Sequence, residues 1–205
     1  NLLTGNSSSS DAMEQELKLL EKDLLASAET LQRARHQIAK ALESEIKTEL
    51  CDLYMDKADF KVTFTKGKFN RDGNEQVEFY ISTNPGESFK PLVKVASGGE
   101  LSRLMLAIKS AFARKEDKTS IVFDEVDTGV SGRVAQAIAQ KIHKIGSHGQ
   151  VLAISHLPQV IAIADYQFFI SKESDNETTV SRVRLLTPEE RVQEIAKMLA
   201  GDNVT

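Results

Sequence analysis

Residues 12–55 contain no glycine or proline and are rich in helix formers, which predicts one long helix with Asp11 as its N-cap. Positions 17, 20, 24, 27, 31, 34, 38 and 41 advance by alternating steps of three and four. They read Leu17, Leu20, Leu24, Ser27, Leu31, Ala34, Ile38 and Ala41, the seam of a coiled coil. The apolar set then shifts to Leu42, Ile46, Leu50 and Leu53, as expected where a helix leaves a coil partner for a globular core. At ~1.5 Å per residue the segment would reach roughly 60 Å, which favours a coil over an amphipathic helix lying on a domain surface. Ahead of it, residues 1–11 are polar and include Ser7, Ser8, Ser9 and Ser10, which predicts a flexible leader or linker.

Over residues 56–205 the period changes. Phe60, Val62 and Phe64 alternate with polar positions, and Val77, Phe79 and Ile81 do the same, which predicts a β-hairpin whose long tip carries Lys66, Lys68 and Arg71. Asn84-Pro85-Gly86 makes a turn. Helix and strand patterns then alternate: a helix from Ser97 to about residue 114, a strand at 120–124, a helix at 131–145 and a strand at 151–155. A short helix after Leu157, strands near 167–171 and 179–186, and a helix over 188–199 complete the run. Thr187-Pro188-Glu189-Glu190 is a capping box with proline at the first helical position. This alternation predicts an α/β lobe with a mixed sheet, parallel at its centre.

Composition narrows the function classes. Of 205 residues, 40% are hydrophobic and 27% charged, a globular make-up, and no apolar run approaches the ~20 residues that span a bilayer. No secretory leader is visible. The single cysteine, Cys51, excludes an internal disulfide and a cysteine-cluster zinc site, which points to a reducing cytoplasm. Lys and Arg number 26 against 30 Asp and Glu, a net charge of -4, so a DNA-binding surface would have to be local. The candidate is the hairpin group Lys61, Lys66, Lys68 and Arg71, with a solvated charged tip as the competing reading.

Three motifs carry candidate chemistry. Ser97-Gly98-Gly99-Glu100 opens a helix: Ser97 and Glu100 have capping-box spacing, and the glycines leave the first amides open to an anion, with a plain helix cap as the alternative. Next, the apolar strand Ser120-Ile121-Val122-Phe123 ends in Asp124 and Glu125. Strand C-termini open into the ligand crevice of α/β sheets, where Asp124 is placed to hold Mg²⁺ and Glu125 to polarise a water for attack on a γ-phosphate. A buried strand with an acidic turn is the alternative there. Last, Val151-Leu152-Ala153-Ile154-Ser155-His156 ends in a histidine placed to donate to a phosphate oxygen. His36, His143 and His148 lie in no such setting and read as solvated surface residues.

In this order the motifs resemble the signature motif, Walker B and switch histidine of ATP-binding-cassette (ABC) ATPases, and residues 126–132 (VDTGVSG) resemble that superfamily's D-loop. Residues 94–103 (KVASGGELSR), 123–132 (FDEVDTGVSG) and 154–159 (ISHLPQ) are similar to the SMC-like ATPases of bacterial DNA double-strand-break repair, a resemblance that covers residues 13–201. It implies the C-terminal lobe of an ABC-type (P-loop NTPase) head, entered through the descending strand of a coiled coil. ATP and Mg²⁺ are the implied cofactors: Asp124 organises the metal, Glu125 is the general base and His156 touches the γ-phosphate. Ser97 and Gly99 would bind the γ-phosphate of ATP held by the opposite subunit, within a nucleotide-binding set that includes Gly98, Glu100 and Asp127. Asp127 would communicate across the dimer interface, and Arg103 would link that interface to the coil.

A P-loop, G-x-x-x-x-G-K-[ST], is missing from this pattern: the one Gly-Lys pair, Gly67-Lys68, has Val62 and Phe69 where the motif needs Gly and Ser or Thr. In the resembled family that loop belongs to an N-terminal half. The implied partners are therefore that half of the same protein, a second head in an ATP-sandwiched homodimer, and DNA, with no membrane and a cytoplasmic, nucleoid-associated location. The chain stops soon after Gly201, where the family continues with another short helix, and alone it is expected to be inactive. Two other readings stand beside this one. The first is the nucleotide-binding domain of an ABC transporter, against which the coil and the missing P-loop count; the second is a non-catalytic coiled-coil scaffold.

Overall fold

The structure, a computed structural model, describes residues 4–95, 98–113, 120–124, 126–127, 129–174 and 179–200. Helix α1 (Thr4–Asp52) begins well before the expected cap Asp11 and runs through the stretch expected as a leader. Once a helix is nucleated, each further residue adds a hydrogen bond, and serine costs less than about 0.7 kcal/mol relative to alanine, so the serines extend it. Leu42, Ile46, Leu50 and Leu53 are all buried in the core, where the change of apolar phase placed them. Each such side chain contributes about 1.5–3 kcal/mol of transfer free energy. Seam residues Leu17, Leu20, Leu24 and Ile38 remain exposed.

Strands β1 (Asp59–Asn70) and β2 (Gly73–Ser82) pair with Phe60 opposite Ile81, Val62 opposite Phe79 and Phe64 opposite Val77, as the alternation predicts. They continue much further than that pattern, so the expected long tip is a short turn at Arg71-Asp72, and Lys66 and Lys68 lie within β1. The extra length lets the hairpin lie along the coil helix. Gly73, at φ +98°, passes so close that a Cβ there would sit 2.9 Å from Leu31 Cδ2. Gln32 Nε2 donates to Asn74 Oδ1 (2.7 Å), and Val62 N donates to Glu43 Oε1 (2.7 Å). His36 stacks on Phe64 with ring centroids 3.9 Å apart, and its Nε2 lies 3.2 Å from Glu75 Oε1. His36 borders the coil–hairpin contact while staying exposed, and His143 and His148 are exposed as well, as expected for all three. Lys61 Nζ lies 6.0 Å over the Phe89 ring, so the basic residues are spread along a strand instead of gathered at a tip.

A short β3 (Lys90–Pro91) adds to β2, and a 3-10 turn over Leu92–Lys94 leads toward α2 (Gly98–Ala113), whose Leu104, Leu106, Ala107 and Ala111 are core residues. Strand β4 (Ser120–Asp124), α3 (Gly132–Gly146) and β5 (Gln150–Ile154) form a β-α-β unit, with parallel pairing from Ser120 opposite Gln150 to Asp124 opposite Ile154. α4 (Pro158–Ile163), the antiparallel pair β6 (Phe168–Ser174) and β7 (Thr179–Leu185), and α5 (Pro188–Ala200) follow. Among the described residues the parallel pair β4–β5 and the antiparallel parts are separate ladders. The capping box at α5 is closed in both directions. Thr187 N donates to Glu190 Oε2 (2.9 Å) and Glu190 N to Thr187 Oγ1 (3.3 Å). The bond from Thr187, then that from Arg184, holds the Glu190 carboxyl below its ordinary range.

Candidate functional site

Parallel pairing with Asp124 opposite Ile154 brings the C-terminal ends of β4 and β5 side by side, the end of an α/β sheet that faces ligands. Asp124 closes β4 and is exposed. No three His, Cys, Asp or Glu side chains cluster as a metal cage among the described residues. Asp124 thus offers a single hard oxygen donor, which fits Mg²⁺, an ion that keeps waters and takes one or two carboxylates plus phosphate oxygens. Glu125 and Ser97 lie outside the described residues.

After β4 the backbone turns inward. Val126 is buried and Asp127 is 0% exposed. Val130 N donates to Asp127 O (3.3 Å), and Gly129 and Gly132, at φ +71° and +57°, steer the chain into α3. Asp127 Oδ2 accepts hydrogen bonds from Ser155 Oγ and from His156 N (3.3 Å). Asp127 Oδ1 lies 3.5 Å from His156 Nδ1. Ser155 Oγ in turn accepts from Leu157 N (3.1 Å), just ahead of α4. One buried carboxylate from the β4 side therefore grips the tip of β5, while the His156 side chain is 67% exposed at the same end as Asp124. The Asp127 carboxylate points into its own lobe.

Gly98, Gly99 and Glu100 form the first turn of α2, with Glu100 where a carboxylate suits the helix dipole. Arg103 Nε donates to Gly99 O (3.4 Å), a contact within its own helix. Two features escaped sequence reading. Ser155 was read only as part of a strand end. On α3, Lys141 is bonded to Glu49 and to Asp52 Oδ2 (2.6 Å) of α1, with Lys141 and Glu49 only 5% and 2% exposed. The signal for it was a lysine set among Ile138, Ile142 and Ile145 on the apolar face of α3.

A long helix rooted against a hairpin and α2, followed by the β4-α3-β5 unit, is a fold shared with solved SMC head domains. An Smc head domain with a coiled coil and joint from Pyrococcus yayanosii matches with a TM-score of 0.67 at 18% identity, over 93% of this chain and 35% of that one. An Smc head with an extended coiled coil, bound to the C-terminal domain of ScpA, from Pyrococcus furiosus gives 0.53 at 18% over 92% and 48%. A third match, 0.52 at 17% over 83% and 99%, comes from a structure concerned with ATP-driven dimerization and DNA stimulated activation of SMC ATPases. No family model matches the chain. The DNA repair protein RecN of Halalkalibacterium halodurans is 52% identical over 94% of this chain and 35% of its own length, and that of Bacillus subtilis is 48% identical over 95% and 36%. The chain belongs to the RecN family. It spans about a third of the length of these relatives. Among the described residues no helix is long and apolar enough to cross a membrane.

Proposed function

We propose that this chain is one lobe of an ATP-hydrolysing head that acts in the repair of DNA double-strand breaks. The support is one arrangement, Asp124 and His156 exposed at the C-terminal ends of adjacent parallel strands, in a chain about half identical to DNA repair proteins. Asp124 would hold Mg²⁺, which when bound neutralises charge on the nucleotide phosphates. Glu125 takes the proton of the attacking water, and His156 donates to the γ-phosphate. The first turn of α2, with Ser97, offers backbone amides to the γ-phosphate of a nucleotide on a second head. Engagement of two such heads would be driven by ATP and stimulated by DNA.

An N-terminal half of the same protein supplies the P-loop. One face of the β4–β5 pair is bare, with Val122, Leu152 and Ile154 at 63%, 48% and 54% exposure, although parallel strands are ordinarily covered on both faces. We assign that face to the N-terminal half.

Asp124→Asn in the full-length protein tests the site. Loss of several kcal/mol of charge stabilisation, at ~1.4 kcal/mol per decade, corresponds to a fall of roughly 10²–10³ in ATP turnover, with a higher Mg²⁺ concentration at half-maximal rate. Steady-state hydrolysis over a Mg²⁺ titration reads both quantities. An unchanged Mg²⁺ dependence would remove Asp124 from the metal site.

A further inference from the structure

We infer that Asp127 acts within its own lobe as a positioning residue, which with Ser155 clamps His156 so that the Nε2 edge of the ring faces the γ-phosphate. The identity of the ligand rests on the proposed function above; the clamp itself rests on geometry. A carboxylate withdrawn fully from water is costly unless hydrogen bonds replace its hydration. Oδ2 of Asp127 has two, from Ser155 Oγ and His156 N. Oδ1 is buried with no hydrogen-bond partner, and His156 Nδ1 stands 3.5 Å away. Buried acceptors in native proteins are nearly always paired, and contacts in a ligand-free site commonly tighten only when the ligand arrives. A few tenths of an ångström of ring movement turns this approach into an Nδ1–H···Oδ1 bond.

The remaining bonds fix the direction of the clamp. Ser155 Oγ accepts from Leu157 N, so its one proton goes to Asp127. Both donors around Oδ2 are thereby committed, and Oδ1 is left for the ring. With Nδ1 turned to the carboxylate, Nε2 is the nitrogen left to face outward.

Asp127→Asn discriminates sharply. Its amide cannot place NH₂ at Oδ2, where two donors already point, so NH₂ takes the Oδ1 position and the ring must present a bare Nδ1. Two measurements on the full-length protein test the clamp. In a double-mutant cycle on kcat at saturating ATP, Asp127→Asn is expected to lose about 10–100-fold, the range typical for removing a group that orients a site ligand. His156→Gln is expected to lose about 10²-fold or more, and the double variant to be no slower than His156→Gln alone. Multiplying losses would overturn the clamp and give Asp127 a separate task. In ¹⁵N-histidine spectra, the His156 Nδ1 is expected to be protonated in the wild type and bare in Asp127→Asn, with Ser155→Ala weakening the same signal. An Nδ1 state unaffected by Asp127→Asn also overturns the proposal, whatever turnover shows. Wild-type turnover in His156→Gln would instead sink the nucleotide reading, while the spectra would still decide the clamp.

Discussion

Glu125→Gln in the full-length protein is expected to reduce ATP turnover by about 10²–10⁴-fold, the range supplied by a positioned general base, while ATP-dependent dimers persist. Glutamine keeps the size and hydrogen-bonding reach of glutamate but cannot take a proton from water. In the proposed function Asp124 and Glu125 divide the work, one toward a metal and the other toward the attacking water. The division predicts separable phenotypes. Asp124→Asn should weaken Mg²⁺ dependence, whereas Glu125→Gln should leave nucleotide and Mg²⁺ binding intact and stop the chemistry. Light scattering on the variant with ATP and Mg²⁺, beside a phosphate-release assay, reads both. Ordinary turnover in Glu125→Gln would mean that another group is the base.

The second large effect concerns the root of the coil. Lys141→Ala removes the ammonium that binds Glu49 and Asp52, and breaking a buried ion pair from one side costs about 3–5 kcal/mol. Replacing the charges by apolar groups of similar size is often neutral or better. The double variant Lys141→Met with Glu49→Leu is therefore expected to be more stable than Lys141→Ala, with Asp52 free to hydrate because its side chain is 55% exposed. Thermal unfolding of the three proteins checks the order. Equal loss in the single and double variants would show that the ion pair itself, and not the charge left uncompensated by Lys141→Ala, carries the stability. The ion cluster fastens α1 to α3, the helix that joins β4 to β5.

Periodicity made much of this fold legible. Steps of three and four announced the coil helix, their change of phase at Leu42 marked where it meets the core, and strict alternation set the hairpin register at Phe60, Val62 and Phe64. The start of α1 was not legible, because serine is nearly as compatible with an extended helix as with a linker. The reach of β1 and β2 was missed as well: beyond Phe64 their side chains no longer alternate, since the hairpin there rests on α1 instead of on a two-sided core. In the site, the strand ends at Asp124 and His156 stood where the apolar runs stopped. The inward turn of Asp127 could not be read, because it depends on a hydrogen bond to Ser155 across the loop that α3 closes. Lys141 was missed for a related reason, as its partners lie about ninety residues earlier on another helix.

In the proposed function this chain carries the Walker B and signature lobe of a head whose phosphate-gripping lobe lies in an N-terminal half. ATP turnover measured with the chain alone, with the N-terminal half alone and with the two co-expressed and co-purified tests it most directly. The expected result is background turnover from either piece and DNA-stimulated turnover from the pair, abolished by Glu125→Gln. Full turnover from the chain alone, or none from a stable complex of the two halves, would contradict it.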